Sequence, residues 1–536
     1  MRAPGRRAAW FAPTLRDYRR SWLSADLVAG LSAGAVVIPQ AMAYASLANL
    51  PVQVGLYTCM VPMVVYALLG GSRAMSVSTT STIATLTATT LVTADVVARS
   101  DEIPRDLVTL TLLVGLILLA ARALKLGGIV ENISRPTLVG IQVGVGATVA
   151  VGQVPTLLGE DSDFTGHGFI RSLLAAIDAL PSANLPTVAL SAATLALLLG
   201  VKALAPRLPG PLLAVAAGIL LMAFTGMGAS GVERIAEVPN GLPLPTPPTM
   251  HGLWALIPGA FAIAVMAFLE SAGVARGIRR AGEQQIDSNR ELLDTSAANL
   301  VGSVFQTLPA AGGFSQSAMN RGAGARTQLS SLVTAALAVL VALLLGPVLS
   351  LLPRATLAAL VLVAVLGLVD VRELSRLARV NRLDFAVAVT TAIVGLTTGL
   401  LAAVAAGVVF TLLLVLRELA RVRLVVGEAR GGVLPVRIAG PLYTANVLGY
   451  ETAVLATAGE HEGVRAVALE LSRMEVTSVT VLDALADLDR ELGELGVELR
   501  LVGLPPAAAE MARRTEWFPT LESAGRVYPD PDAALR

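Results

Sequence analysis

The stretch Pro309–Ala310–Ala311–Gly312–Gly313–Phe314–Ser315–Gln316–Ser317–Ala318–Met319–Asn320, followed by Arg321 to Thr327, interrupts a very apolar sequence with residues that can hydrogen-bond. A proline and two glycines precede small hydroxyl and amide side chains, which does not suit a lipid-facing helix. The stretch reads as the unwound start of a half-length helix whose free N–H groups point at something. A helix N-terminus leaves four N–H groups unpaired, and the peptide dipoles sum there to partial positive charge, so it attracts anions. Inside a bilayer, irregular backbone is tolerated only where protein buries it or a cavity opens beside it. The stretch is therefore a candidate anion site at mid-membrane depth. The second candidate is Glu270, the lone carboxylate in the apolar run Phe261–Ala275. An ionisable residue inside a span is costly and points to function. Burial disfavours the charged form, so such a carboxyl can take up and release a proton. The structural alternatives are a pair with Arg276 or a hydrogen bond to a broken-helix N–H.

Composition supplies the bilayer. Of 536 residues, 54% are hydrophobic and 15% charged, with mean hydropathy +0.70, against roughly 25% charged in soluble domains. With repeated apolar runs of spanning length, this indicates a polytopic helical membrane protein. A net charge of +1 gives no attraction to nucleic acid. The single cysteine, Cys59, excludes disulfide scaffolds and cysteine metal sites, and His167, His251 and His461 are scattered. No nucleophile–base constellation and no phosphate-cradling glycine loop is evident, which disfavours an enzyme or an ATP-driven pump. No cofactor is expected beyond a coupling cation, and no metal centre. Six arginines before residue 21, without a cleavable apolar core, read as a cytoplasmic tail over residues 1–23.

Apolar segments fall at about 26–44, 54–70, 76–93, 106–121, 129–151, 187–204, 209–226, 252–274, 291–307, 314–322, 328–350, 355–369, 384–399 and 400–416, fourteen in all. Threaded from a cytoplasmic N-terminus, they leave 24 Lys and Arg residues inside and 5 outside. The inner set runs from Arg2, Arg6 and Arg7 through Arg207 and Arg280 to Arg423; the outer set is Arg99, Arg105, Arg171, Arg234 and Arg354. That asymmetry is what positive-inside topology requires. The outer loop 156–186 carries Glu160, Asp161, Asp163 and Asp178, and the proline-rich 229–251 is also outside. Segment 76–93 is rich in Ser and Thr, segment 314–322 is short and glycine-led, and each is third in its group of seven. Weakened segments at matching positions point to a binding site between inverted repeats. From about residue 430, Val433–Ile438, Ala466–Leu471 and Val497–Leu501 read as strands. Ser478–Glu494 and Pro505–Arg514 read as helices, the former with Val481, Leu482, Leu485 and Leu488 on one face. This predicts a small cytoplasmic α/β domain of about 100 residues.

Three groups of residues resemble the first conserved block of SulP (sulfate permease-like) anion transporters. They are Asp26–Leu27–Val28–Ala29–Gly30, Ile38–Pro39–Gln40–Ala41–Met42–Ala43–Tyr44–Ala45, and Leu50–Pro51 with Gly55–Leu56–Tyr57. Asp287–Ser288–Asn289–Arg290–Glu291–Leu292, Asn299–Leu300 and Gly312 through Gln328 resemble the second block, and the C-terminal region resembles a STAS domain. The resemblance implies fourteen transmembrane segments in two inverted repeats of seven, forming core and gate domains, with substrate between the N-termini of the third and tenth helices. The expected division is a tail (1–23), a transmembrane anion transporter domain (24–423) and a STAS domain (430–536).

Carried over residue by residue, the resemblance makes Gln40 and Tyr44 site-lining, with helix packing as their alternative, and puts Ser315 at the tenth helix start. The anion then sits between Ser78, Thr79 and Thr80 on one side and Gly313, Phe314, Ser315 and Gln316 on the other. The family usually has Gly-Pro where this chain has Ser78–Thr79, and often Arg where it has Gln316. An uncharged Gln316 leaves the site to helix dipoles, backbone N–H groups, hydroxyls and amides, which favours a monoanion or a cation-accompanied anion. The family links an acidic residue at the position of Glu270 to cation coupling; for sodium, Glu270 and Ser271 would supply oxygens, and proton and sodium both stay open. Among other candidates, Arg135–Pro136 reads as a break inside the fifth span, Gly30 and Gly34 as close helix contacts, and Asp26 as the cap of the first span. Arg321 and Arg326 read as facing the cytoplasm. The STAS phosphorylation motif is degraded at Glu470–Leu471–Ser472 and Ser478–Val479–Thr480–Val481. Thr480 remains a candidate regulatory acceptor, with a structural or dimer-supporting role favoured for the domain. The expected protein is a secondary active transporter of small anions (sulfate, bicarbonate or dicarboxylate), cation-coupled by H+ or Na+ and working by an elevator-like movement. It lies in the cell membrane as a multi-pass homodimer, both termini cytoplasmic. The alternative is an uncoupled anion channel or exchanger, or a membrane sensor with a signalling STAS domain.

Overall fold

The chain divides into two compact units, Met1–Phe410 and Thr411–Arg536. The computed structural model describes residues 11–16, 18–94, 103–130, 135–160, 169–205, 208–249, 252–279, 283, 287–366, 370–398, 400–440, 442–472, 474 and 478–536. Arg2, Arg6, Arg7, Arg99, Asp161, Asp163, His167, Arg207, His251 and Arg280 lie outside the described residues.

The first unit is a helical bundle, with helix in each of the fourteen apolar segments. Among the described residues, seven helices are long and apolar enough to cross a bilayer, among them Leu185–Leu204 and Leu253–Gly277; Gly210–Phe224 and Leu329–Leu344 are apolar but shorter. Segments 76–93 and 314–322 are entered through extended strand, for different local reasons. Ser and Thr hydroxyls compete for backbone partners and favour caps over helix interiors. Accordingly Val77–Ser78 is a strand, Thr80 is extended and its hydroxyl accepts from Ile83 N at 3.3 Å, and helix runs only over Ser81–Thr93. In the second segment Pro309 lacks a donor, Ala311–Gly312 is a strand, Gly313 is the N-cap, and helix runs over Phe314–Gly322. The two strands pair antiparallel, Val77 with Gly312 and Ser78 with Ala311, and all four residues are buried. Gly312 is needed there, because a Cβ would lie 2.8 Å from Met75 Cε and 3.1 Å from Ser271 Cα.

The Leu23–Leu47 helix packs on Leu329–Leu344. A Cβ at Gly30 would lie 2.4 Å from the Ser330 carbonyl oxygen, and Thr334 Oγ1 donates to the Gly30 carbonyl at 2.8 Å. Gly30 and Gly34 are thus close helix contacts. One local expectation needs correction. Asp26 does not cap its own helix, whose N-cap is Trp22. Its buried carboxylate instead accepts from Arg326 N at 2.6 Å, Thr327 N at 3.1 Å and Thr327 Oγ1 at 2.6 Å, capping a turn three hundred residues away. The described helix of the fifth segment runs over Arg135–Gly152, and Arg135 Nε pairs with Glu373 Oε1 at 2.8 Å; residues 131–134, next to the expected break, lie outside the described residues.

The second unit contains a five-stranded sheet in the order 424–426, 433–438, 466–470, 498–502, 527–528, antiparallel in its first pair and parallel in the rest. The Val479–Glu494 helix buries Val481, Leu482, Leu485 and Leu488 against it, and the Val447–Glu460 helix adds Tyr450 and Val454.

Asp26→Ala leaves three donors unpaired in the bundle and should lower stability on the order of 3 kcal/mol. Thermal unfolding of the detergent-solubilised chain would read this; an unchanged melt would contradict the capping role.

Candidate anion site

The helix Leu253–Gly277 supplies consecutive residues to the two broken segments. Glu270 Oε2 accepts from Thr80 Oγ1 at 2.8 Å, at the cap of the Ser81–Thr93 helix. Ser271 Oγ accepts from Gly312 N at 2.9 Å, in the opposite strand. Thr80 therefore donates to the carboxylate while accepting from Ile83, so the charge of Glu270 is tied directly to a helix N-terminus.

Gln316 closes the gap between the two segments. It is 2% exposed; its Oε1 accepts from Ser78 Oγ at 2.9 Å and its Nε2 donates to the Thr79 carbonyl at 3.3 Å. An amide offers two N–H donors, so one proton is used on Thr79 and one is left. Backbone and hydroxyl contacts complete the crossing: Gly313 N donates to the Ser76 carbonyl at 3.1 Å, and Ser76 N to Ser317 Oγ at 2.9 Å. Around it, Tyr44 is buried with its hydroxyl bonded to Ser81. Among the described residues, Gln40 Oε1 and Thr79 Oγ1 are shut off from solvent with no hydrogen-bond partner, and the Thr82 hydroxyl bonds to Glu270 beside Thr80. Buried hydroxyls are nearly always satisfied. The Gln40 and Thr79 atoms therefore mark a place where hydrogen-bonding capacity is held in reserve.

The structure thus brings Ser78, Thr79, Thr80, Gly313, Gln316, Glu270 and Ser271 together, with Tyr44 against Ser81. Phe314 and Ser315 open outward; Phe314 is 62% exposed, and its ring leans toward Gly277. No lysine or arginine is among these residues, so any anion here meets dipoles and neutral donors. Arg321 Nη1 donates to the Gly277 carbonyl at 3.2 Å, satisfying a helix C-terminus. Sequence reasoning does not single out Ser317 or Thr82. Their signal is a hydroxyl facing the interior of an apolar bundle, which single-sequence patterning does not separate from the surrounding hydroxyl-rich run. In the second unit, Thr480 is exposed on the first turn of its helix, next to the Ser478 cap, whose hydroxyl lies 2.9 Å from Thr444 Oγ1.

The sulfate permease family model matches residues 23–391, and the STAS domain model matches residues 425–534. The chain is similar to a probable sulfate transporter of Mycobacterium tuberculosis (strain H37Rv), 34% identical over 92% of each chain. It is also similar to the sodium-independent sulfate anion transporter of Bos taurus, 27% identical over 96% of this chain and 90% of that one. In fold it matches the inward-facing murine Solute Carrier 26 family member A9 anion transporter, with TM-score 0.89, 23% identity, and 98% and 93% of the two chains covered. The transmembrane domain of the cyanobacterial bicarbonate transporter BicA matches with TM-score 0.64 and 21% identity, over 72% of this chain and 98% of that one.

Gln316→Ala removes the short bond from the Ser78 hydroxyl and a donor to the Thr79 carbonyl, leaving these two buried groups only their mutual 3.3 Å contact. It should cost about 1–3 kcal/mol of stability, read as a lowered melting temperature, with Gln316→Glu no substitute because it places a second acid beside Glu270.

Proposed function

The chain belongs to the sulfate permease family, and from that premise we propose that it is a secondary active transporter of small anions, sulfate or bicarbonate foremost and dicarboxylates next, coupled to a cation in symport. The observation that carries the reading is the antiparallel crossing of two half-helix starts, with an unpaired, fully buried hydroxyl at Thr79 and with Glu270 held by Thr80 and Thr82 beside it. The relatives' names supply the anion class: the mycobacterial and bovine proteins are named for sulfate and BicA for bicarbonate.

The mechanism follows from charge. An anion held between Ser78–Thr80 and Gly313–Gln316, within reach of Gln40 and Tyr44, meets no fixed positive side chain. It does meet Glu270, bonded to the cap of one half-helix. An ionised Glu270 and an anion repel each other in a low-dielectric site. Neutralising Glu270 with a proton removes that repulsion, and anion and proton then enter as a pair. Sodium would need Glu270, Ser271 and carbonyl oxygens as ligands, whereas a proton needs Glu270 alone; with the bovine relative named sodium-independent, the proton is the favoured partner. One proton leaves a monoanion cargo neutral and a sulfate cargo with a single net negative charge, and so loaded the core crosses the bilayer against the gate in an elevator-like movement. The arrangement has fourteen spans as two inverted repeats of seven, lies in the cell membrane with both termini cytoplasmic, and dimerises through the STAS domain and membrane contacts, with Thr480 as a candidate regulatory position. Relatives named as transporters and a site without a nucleophile–base pair argue against an enzyme.

Anion uptake into proteoliposomes tests this. An inward proton gradient should stimulate uptake by the wild type and not by Glu270→Gln. Uptake indifferent to proton and sodium gradients, and to that substitution, would favour the uncoupled channel or exchanger. Thr79→Val should raise the KM for the anion about tenfold, the worth of one hydrogen bond to a charged ligand. Gln316→Arg should shift preference toward a divalent anion, read as the sulfate-to-bicarbonate uptake ratio.

A further inference from the structure

A second acidic cluster is sealed inside the first unit, away from Glu270. Glu291 and Asp294 lie three residues apart on one face of the Ser288–Val304 helix, 0% and 2% exposed. One cation serves both. Arg290 Nε is 3.7 Å from Asp294 Oδ2, beyond hydrogen-bond reach, while its Nη2 donates to the Leu69 carbonyl at 3.2 Å. From the Val61–Leu69 helix, the Tyr66 hydroxyl donates to Glu291 Oε2 at 3.1 Å. The backbone of Gly71 donates to Asp294. The Ile103–Ala123 and Leu253–Gly277 helices also pack on this helix, and among the described residues they bring no charged group to bear on the pair.

The count does not balance with both acids ionised. Two buried carboxylates face one guanidinium, and a buried charge is expensive unless paired and hydrogen-bonded. Like charges sharing a site disfavour each other's ionisation. The unpaired atom shows where the missing partner belongs. Among the described residues, Asp294 Oδ2 is closed to solvent without a hydrogen-bond partner and meets only Arg290 Nε at 3.7 Å, while the 0% exposed Thr295 hydroxyl bonds to Glu291, so neutral donors stand where a second cation would be needed. We propose that Glu291 and Asp294 hold a single proton between them, forming a second protonatable site distinct from Glu270. A metal ion fits worse, since Arg290 repels it and the described residues contain no group of three or more metal-ligating His, Cys, Asp or Glu.

The site has a route to the crossing strands. Tyr66 Oη also lies 3.9 Å from Met75 Sδ, and Met75 packs where a Cβ on Gly312 would stand. Losing the proton puts a second negative charge beside Tyr66 and draws its hydroxyl more tightly to Glu291. That changes how Tyr66 supports the segment leading into Val77–Ser78. The site does not depend on the transport reading, because it rests on charge count and geometry alone.

Infrared difference spectroscopy of the purified full chain across a pH titration tests it, through the C=O band of protonated carboxyls. At neutral pH the band should be present in the wild type and persist in Glu270→Gln, and in the Glu270→Gln background it should be lost on adding Glu291→Gln. Asp294→Asn should move its disappearance to lower pH by about one unit or more, because the like charge is gone. A wild type without the band at neutral pH, or a band that neither Glu291→Gln nor Asp294→Asn alters, would overturn the proposal. Should Glu291→Gln fail to fold, the Asp294→Asn titration decides alone: a shift sustains the shared proton, and no shift removes it.

Discussion

Two pieces of extended backbone cross inside a helical bundle, and every polar group they carry must be met from within the protein. That requirement explains residues that would otherwise look like isolated polar choices. Asn299 donates to the Ala310 carbonyl and accepts from Ala310 N, both near 2.9 Å. Asn320 donates to the Ala74 carbonyl at 3.1 Å, and Gln328 to the carbonyls of Ser72 and Met75 at 2.8 Å. Thr58 receives Leu308 N at 3.0 Å. Water cannot do this work in a low-dielectric interior, where an unmet amide costs several kcal/mol. The amide and hydroxyl side chains around the crossing therefore act as substitute backbone.

The same constraint decides what Gln316 does. By the family resemblance it reads as a neutral stand-in for a fixed positive charge. In the fold its amide is committed to the opposite strand, to Ser78 and Thr79. A guanidinium has no acceptor, so an arginine there would not receive the Ser78 hydroxyl. The neutral side chain thus joins two halves that a cation would join differently, and the positive potential is left to the helix ends.

What the sequence made legible is mostly local. Hydroxyl-rich Ser76–Thr82 and glycine-led Gly312–Ser317 mark broken helices because their composition contradicts a lipid-facing span. Glu270 stands out because a carboxylate in an apolar run has few structural excuses. The three apolar strands of the second unit follow from short hydrophobic runs. Its Val447–Glu460 helix does not, since alanines and glycines mixed among its apolar residues blur the period, and strands of two or three residues at 424–426 and 527–528 are too short to carry a pattern. Partnerships across long sequence separations were illegible too. Asp26 looks like a cap for the helix it opens because that helix is adjacent in sequence; its real partners are at 326 and 327. The pairing of Ser78 with Gln316, and of Glu291 with Tyr66, is set by packing that no single-sequence period encodes.

Glu270 and Ser271 are neighbours on one helix, yet they hold segments more than two hundred residues apart. Successive helical residues point about 100° apart, so this helix reaches both broken segments from a single place. Its tolerance to length change is correspondingly narrow. One residue inserted or deleted ahead of position 270 turns both side chains away at once, breaking the contacts to Thr80 and Gly312 together, whereas loops elsewhere between the two segments can lengthen without either contact noticing. The register of one ordinary-looking span is thereby a shared coordinate for both halves of the molecule.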